Sequence, residues 1–157
     1  MHLRTCDNRR MKIEPIPIKK LFEHPQFEEV VSDYCKESGN PDLGTAMPTL
    51  EWYKKMEDAG LFCCCAAFDD ERLVGVVTVV VTLYPHFGKL VGSVESIWLH
   101  KDYRKGVAGL RLINEAKRVA KDMGAVGVYF GAREGSRLAR LYERIFTPMN
   151  RLYWTKL

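Results

Sequence analysis

From Val94 to Ile113 the chain reads VESIWLHKDYRKGVAGLRLI, a largely apolar run joined to an amphipathic one by a short basic turn that contains glycine. Such a turn suits an anion. Where a strand runs into a helix N-terminus, several backbone N–H groups have no partner and the aligned peptide dipoles add partial positive charge. Arg104 and Lys105 add full charges, and Gly106, Ala108 and Gly109 around Val107 keep side chains small where a phosphate would touch backbone. Nine residues before Arg104 stands Glu95. In a regular strand it shares a face with Ser93, Ile97 and Leu99, where lost hydration would favour general-base work; an ion pair with one of the arginines is the equal alternative. Tyr142 carries a phenol that stays protonated at neutral pH, its reference pKa being near ~10, and could act as an acid. By position it is equally an edge-of-core aromatic beside Leu138 and Ile145.

The elements that would position these groups follow from periodicity. Lys12 to Ile18 alternates polar and apolar residues, and Pro15 and Pro17 make it an edge strand. Lys19 to Glu37 has helical spacing, with a break or fresh start at Pro25, and Thr49 to Ala59 is a second helix for which Thr49 is the candidate cap. Phe62 to Phe68 and Arg72 to Tyr84 form a hairpin across Asp69, Asp70 and Glu71, and Leu90 to His100 is the next strand. After the turn, Ala108, Leu112, Ala116, Val119 and Met123 make a helical stripe that ends at Gly124. Val126 to Gly131 follows as a strand, parallel to the preceding one because a helix carries the crossover. Ser136 can cap a last helix running to about Phe146 with Leu138, Leu141 and Ile145 inward, and Arg151 to Lys156 returns as a final strand. The fold class is therefore α/β, with a mixed sheet.

At 157 residues, with 46% hydrophobic and 28% charged content, the chain suits one globular domain over residues 11–157 behind a loose tail at residues 1–10. A net charge of +4 does not demand a nucleic acid, and the basic last helix, with Arg133, Arg137, Arg140 and Arg144, lacks the aromatic interleaving of a single-strand platform. The longest apolar run, Leu73 to Leu83, is far shorter than the ~20 residues of a membrane span, and residues 1–10 lack the apolar core of a secretory signal. Cys6, Cys35, Cys63, Cys64 and Cys65 make neither a metal motif nor an even disulfide framework; three adjacent cysteines on a strand point to alternating faces. A reducing cytoplasm fits best.

The basic turn and the order of elements around it resemble the GNAT superfamily of acyl-CoA N-acyltransferases. Its motif is Gln or Arg, two residues, Gly, one residue, then Gly or Ala; Tyr103, Gly106 and Ala108 meet that spacing, whereas starting at Arg104 leaves the turn one residue short. The resemblance implies a three-layer fold, a central twisted mixed sheet flanked by helices. It implies acetyl-CoA as co-substrate without a metal, held by Tyr103, Arg104, Lys105, Gly106, Val107, Ala108 and Gly109 at the pyrophosphate and along Ile97, Trp98 and Leu99 at the pantetheine arm. Glu95 then takes the amine proton and Tyr142, in a Leu-Tyr-Glu segment, protonates the departing thiolate. An asparagine that members often carry seven residues before that tyrosine is Gly135 here, beside Ser136, which is the candidate for its contacts. The acceptor, a small-molecule or peptide amine, would enter between the N-terminal helices and the loop Tyr84 to Gly88, and a homodimer is compatible with the reading. A catalytically silent CoA-binding or assembly module is the alternative, and transfer through a cysteine is a third.

Overall fold

A computed structural model describes residues 11–44 and 47–157; the expected tail at residues 1–10 lies outside them. Among the described residues five strands form one sheet whose spatial order follows the chain: β1 (Lys12–Ile16), β2 (Phe62–Asp69), β3 (Arg72–Tyr84), β4 (Lys89–Leu99) and β5 (Val128–Tyr129). The first four are antiparallel to their neighbours and β5 runs parallel to β4, which makes the sheet mixed as expected. Pro15 sits in the edge strand β1, where a missing N–H costs least, but the expected strand to Ile18 stops at Ile16, because Pro17 is the N-cap of α1 (Ile18–Phe22).

Alternation along β2 and β3 feeds two cores. Cys65, Ala67, Val74, Val77, Val79 and Val81 meet Ala108, Leu112, Ala116, Val119 and Ala120 of α4 (Ala108–Asp122). On the opposite face Phe62, Cys64, Ala66, Leu73 and Val76 meet Ile18 and Leu21 of α1 (Ile18–Phe22) and Val30 of α2 (Phe27–Ser38). Helix α3 (Leu50–Asp58) adds Tyr53 and Met56 to this second core. The consecutive cysteines do alternate: Cys64 and Cys65 belong to different cores. Among the described residues no helix is long and apolar enough to cross a membrane.

Several local expectations need correction. Arg151 to Lys156 forms no strand: Leu152 and Tyr153 are exposed, and Trp154 Nε1 donates to Asp42 Oδ2 at 3.0 Å. β-propensity acts only where a partner strand takes up the backbone groups, and among the described residues none pairs with this segment. For the same reason only Val128–Tyr129 of the expected strand Val126 to Gly131 is realised, as β5. Thr49 stands at the N-cap of α3, yet its hydroxyl donates to Met47 O rather than accepting from the helix. Ser136 does cap α5 (Arg137–Ile145), accepting from Ala139 N at 3.0 Å. In α5 the buried position is Tyr142, and Ile145 faces outward.

Candidate active site

β5 pairs with β4 only at Gly92 and Ser93, so Val94 to Leu99 have no strand on that side. This bare edge is where the two parallel strands part. A cleft of ≈ 850 Å³ opens there, walled by Val94 to Leu99, by the start of α4 through Gly106, Gly109 and Leu110, and by α5 through Arg137, Leu138, Leu141 and Arg144. Ile97, Trp98 and Leu99 all line it, Trp98 while buried in the second core with its Nε1 unpartnered among the described residues. Among the described residues no cysteine lines this cleft.

Glu95 is placed by an irregularity that a regular strand does not contain. Thr78 of β3 faces Ser96, while the next residue, Val79, faces Val94, so Glu95 is the extra residue of a β-bulge. The bulge lets Val94 and Ile97 both pack toward the α4 core despite their odd separation. It also overturns the expected face: Glu95 lies not with Ile97 and Leu99 but beside Thr78 and Ser96. Its side chain is exposed rather than stripped of water by apolar neighbours. Two hydroxyls hold it. Tyr53 Oη donates to Oε1 at 3.1 Å and Thr78 Oγ1 donates to Oε2 at 2.8 Å. Burial first, and then the Glu95 charge, push the Tyr53 phenol well above its ordinary value; the Tyr34 phenol on α2 is pushed up by the same two causes in the same order. Tyr34 lines the cleft alongside Glu95.

At the turn, Tyr103 is buried in the α4 core, its hydroxyl donates to Asp69, and it does not line the cleft. Arg104 folds back: Nε donates to Leu99 O at 2.7 Å, and Nη1 and Nη2 donate to Glu37 of α2 at 2.8 and 2.6 Å. Lys105 and Val107 are exposed, and the Ala108 side chain is buried. Val107 stands at the N-cap of α4, and among the described residues no side chain caps this helix start. The cradle fits a pyrophosphate. Gly106 takes φ +85°, which side-chain-bearing residues rarely adopt, and a Cβ at Gly109 would meet nothing nearer than Leu99 Cδ2 at 4.0 Å, so a ligand can approach the backbone.

Tyr142 is buried between Phe130 and Phe146, each ring centroid 5.5 Å from its own. Its Oη has no hydrogen-bond partner among the described residues, and burial pushes the phenol well above its ordinary value. The neighbouring Leu141, rather than Tyr142 itself, lines the cleft, together with Ser136, Arg133, Arg137, Arg140 and Arg144. Arg140 Nη1 donates to Gly135 O at 2.9 Å.

Sequence reasoning places Glu95 on β4 but misses its partners Tyr53 and Thr78 and the Glu37 that holds Arg104. Tyr53 lies 42 residues from Glu95 and Glu37 lies 67 from Arg104, distances over which no local pattern speaks. The bulge has a local trace: Glu95 and Ser96 are consecutive polar residues between Val94 and Ile97, which breaks strict alternation.

The chain belongs to the acetyltransferase (GNAT) family, whose sequence model matches residues 26–146. No curated protein sequence matches it. Solved structures show the same fold at low identity. An aminoglycoside acetyltransferase from an uncultured soil metagenomic sample, in complex with sisomicin, superposes with a TM-score of 0.71 at 17% identity, covering 96% of this chain and 99% of its own. The ribosomal-protein-alanine N-acetyltransferase of Brucella melitensis biovar Abortus 2308 has a TM-score of 0.69 at 20% identity, with 94% and 98% covered. The glucosamine-6-phosphate N-acetyltransferase of Arabidopsis thaliana has 0.69 at 13% identity, with 94% and 97% covered.

Proposed function

We propose that the protein is an N-acetyltransferase that moves an acetyl group from acetyl-CoA to a primary amine by direct attack in a ternary complex. One observation carries the reading: the edge of β4 from Val94 to Leu99, with no strand beside it, runs toward the α4 N-terminus, which among the described residues no side chain caps. A pantetheine arm can add to such an edge as a strand would, with its pyrophosphate on the helix start. Acetyl-CoA would supply the acetyl thioester. Glu95, already accepting from two hydroxyls, takes the amine proton on a carboxylate oxygen. Backbone N–H groups along Ile97 to Leu99 hold the carbonyl oxygen as charge develops. Tyr142, its phenol kept neutral by burial, holds the proton for the departing sulfur. The products are the acetylated amine and the free thiol.

The acceptor named for each structural neighbour, an aminoglycoside, a ribosomal-protein alanine or glucosamine 6-phosphate, bears an amino group, which supports an amine here without selecting one. Calorimetry with acetyl-CoA and CoA, followed by thiol release in the presence of candidate amines, tests the reading. Binding and turnover are expected, and Glu95→Gln and Tyr142→Phe should lower kcat while leaving acetyl-CoA affinity in place. Normal acetylation by both variants would remove the roles assigned. The enclosure of the Tyr142 hydroxyl away from the cleft wall makes its acid role the first to test, and the silent module is the competing outcome. Tight CoA binding with no turnover on any amine would decide for it.

A further inference from the structure

We infer that Tyr53 and Thr78 are positioning residues that aim the Glu95 carboxylate at the amine; this rests on the reading of Glu95 as the base. A glutamate side chain on an exposed bulge has several free rotors, and fixing it needs contacts that offset the lost rotamer freedom. Here both oxygens are held, each by one neutral donor on a different element: Oε1 by Tyr53 Oη of α3 and Oε2 by Thr78 Oγ1 of β3.

The proton positions leave one arrangement. Thr78 Oγ1 accepts from Ser96 N at 3.0 Å and lies 2.7 Å from Ser96 Oγ. A threonine hydroxyl has one proton. An ionised Glu95 can only accept, so Thr78 gives that proton to Oε2, and Ser96 Oγ must then donate to Thr78. The chain of donors runs from Ser96 through Thr78 to Glu95 in one direction.

Both donors are built rather than incidental. Thr78 interrupts the run Val76, Val77, Val79, Val80, Val81 and is only 4% exposed, a place where a hydroxyl is costly unless its bonds are made. It stands at the register shift that creates the bulge, so the residue that produces Glu95's position also binds its side chain. The Tyr53 ring is locked between Phe62 and Phe22, with centroids at 5.2 and 6.1 Å, which fixes where its hydroxyl points.

The test compares Tyr53→Phe and Thr78→Val, which remove only a hydroxyl's hydrogen bonding at near-constant shape, with Thr78→Ser, which restores it. Each is made alone and in a Glu95→Gln background. Acceptors are sisomicin, glucosamine 6-phosphate and an alanine-terminated peptide, with crystal structures of the wild type and of the Tyr53→Phe/Thr78→Val pair alongside. In each single variant kcat should fall about tenfold with the KM for acetyl-CoA unchanged, Thr78→Ser should recover most of the loss, and the losses should vanish in the Glu95→Gln background. The Glu95 carboxylate should leave its wild-type position in the paired variant. Equal losses with and without Glu95 would mark a merely structural role and overturn the inference. A carboxylate that keeps its place without either donor would overturn it whether or not any of these amines is acetylated. Full activity of Glu95→Gln itself would instead remove the base assignment.

Discussion

Arg104 grips Glu37 with both terminal guanidinium nitrogens while its Nε holds the Leu99 carbonyl, so one side chain ties the end of β4 to the last turn of α2. The pair is partly exposed, which limits its worth to about 0.2–1 kcal/mol of stability. Its larger consequence is for anions, because Glu37 offsets the Arg104 charge beside the cradle. Glu37→Gln should therefore tighten acetyl-CoA roughly twofold in calorimetry, and Arg104→Ala should weaken it by about tenfold. Weaker binding by Glu37→Gln would mean that the pair holds the cradle in shape rather than competing with the ligand.

Gly92 sits where β4 meets both β5 and α4. A Cβ there would lie 3.1 Å from Ala120 Cβ and 3.2 Å from Val128 Cγ2, neither the end of a long flexible side chain. Gly92→Ala must push the helix or the short strand away, at a cost of about 1–3 kcal/mol. A drop in melting temperature of roughly 2–10 °C should follow, measured by thermal unfolding. An unchanged melting temperature would show that β5 yields freely.

Most of the sheet is legible in the sequence where strands are bounded by turn residues and filled with β-branched side chains. β3 runs from Arg72 to Tyr84 as expected, because its valines are buried on both faces and Asp70, at φ +53°, turns the chain before it. The α4 stripe is equally legible, since burial on a helix repeats with its own period. What fails depends on partners remote in sequence. Arg151 to Lys156 has strand composition but, among the described residues, no neighbour to pair with. The same limit governs the site: Glu95 could be placed on its strand, whereas its face, its exposure and its two donors follow from a register shift against β3 and from the docking of α3.

His100, buried at the end of β4, meets Arg72 Nη2 through Nε2 at 3.1 Å. Its Nδ1 accepts from Asp102 N at 3.3 Å and lies 3.6 Å from Asp102 Oδ2. Burial, and then the Arg72 charge, lower the His100 pKa, with Asp102 opposing. A base whose folded value is depressed binds fewer protons folded than unfolded, so stability is lost as pH falls below the ordinary histidine value of about 6.5. Urea midpoints should decline from neutral pH toward mildly acidic pH, and His100→Gln should flatten that decline. An identical decline in the variant would assign it to other groups.

Tyr142 pairs its proposed role as acid with a defect of packing. Its hydroxyl is buried without a partner among the described residues, a state that costs about 1–3 kcal/mol relative to a satisfied one. Burial raises its pKa, so above the ordinary value near 10 the unfolded chain releases a proton that the folded chain keeps, and stability falls as pH climbs from there. Tyr34 and Tyr53, raised by burial and by Glu95, contribute to the same fall. Tyr142→Phe should thus raise stability at neutral pH by up to about 1 kcal/mol and partly flatten the alkaline decline in urea titrations, while kcat drops. A variant that is both slower and less stable would mean that the hydroxyl is satisfied in the folded protein. The proton it was assigned to hold would then be engaged elsewhere, and the acid for the leaving thiolate would have to be sought among the groups that line the cleft.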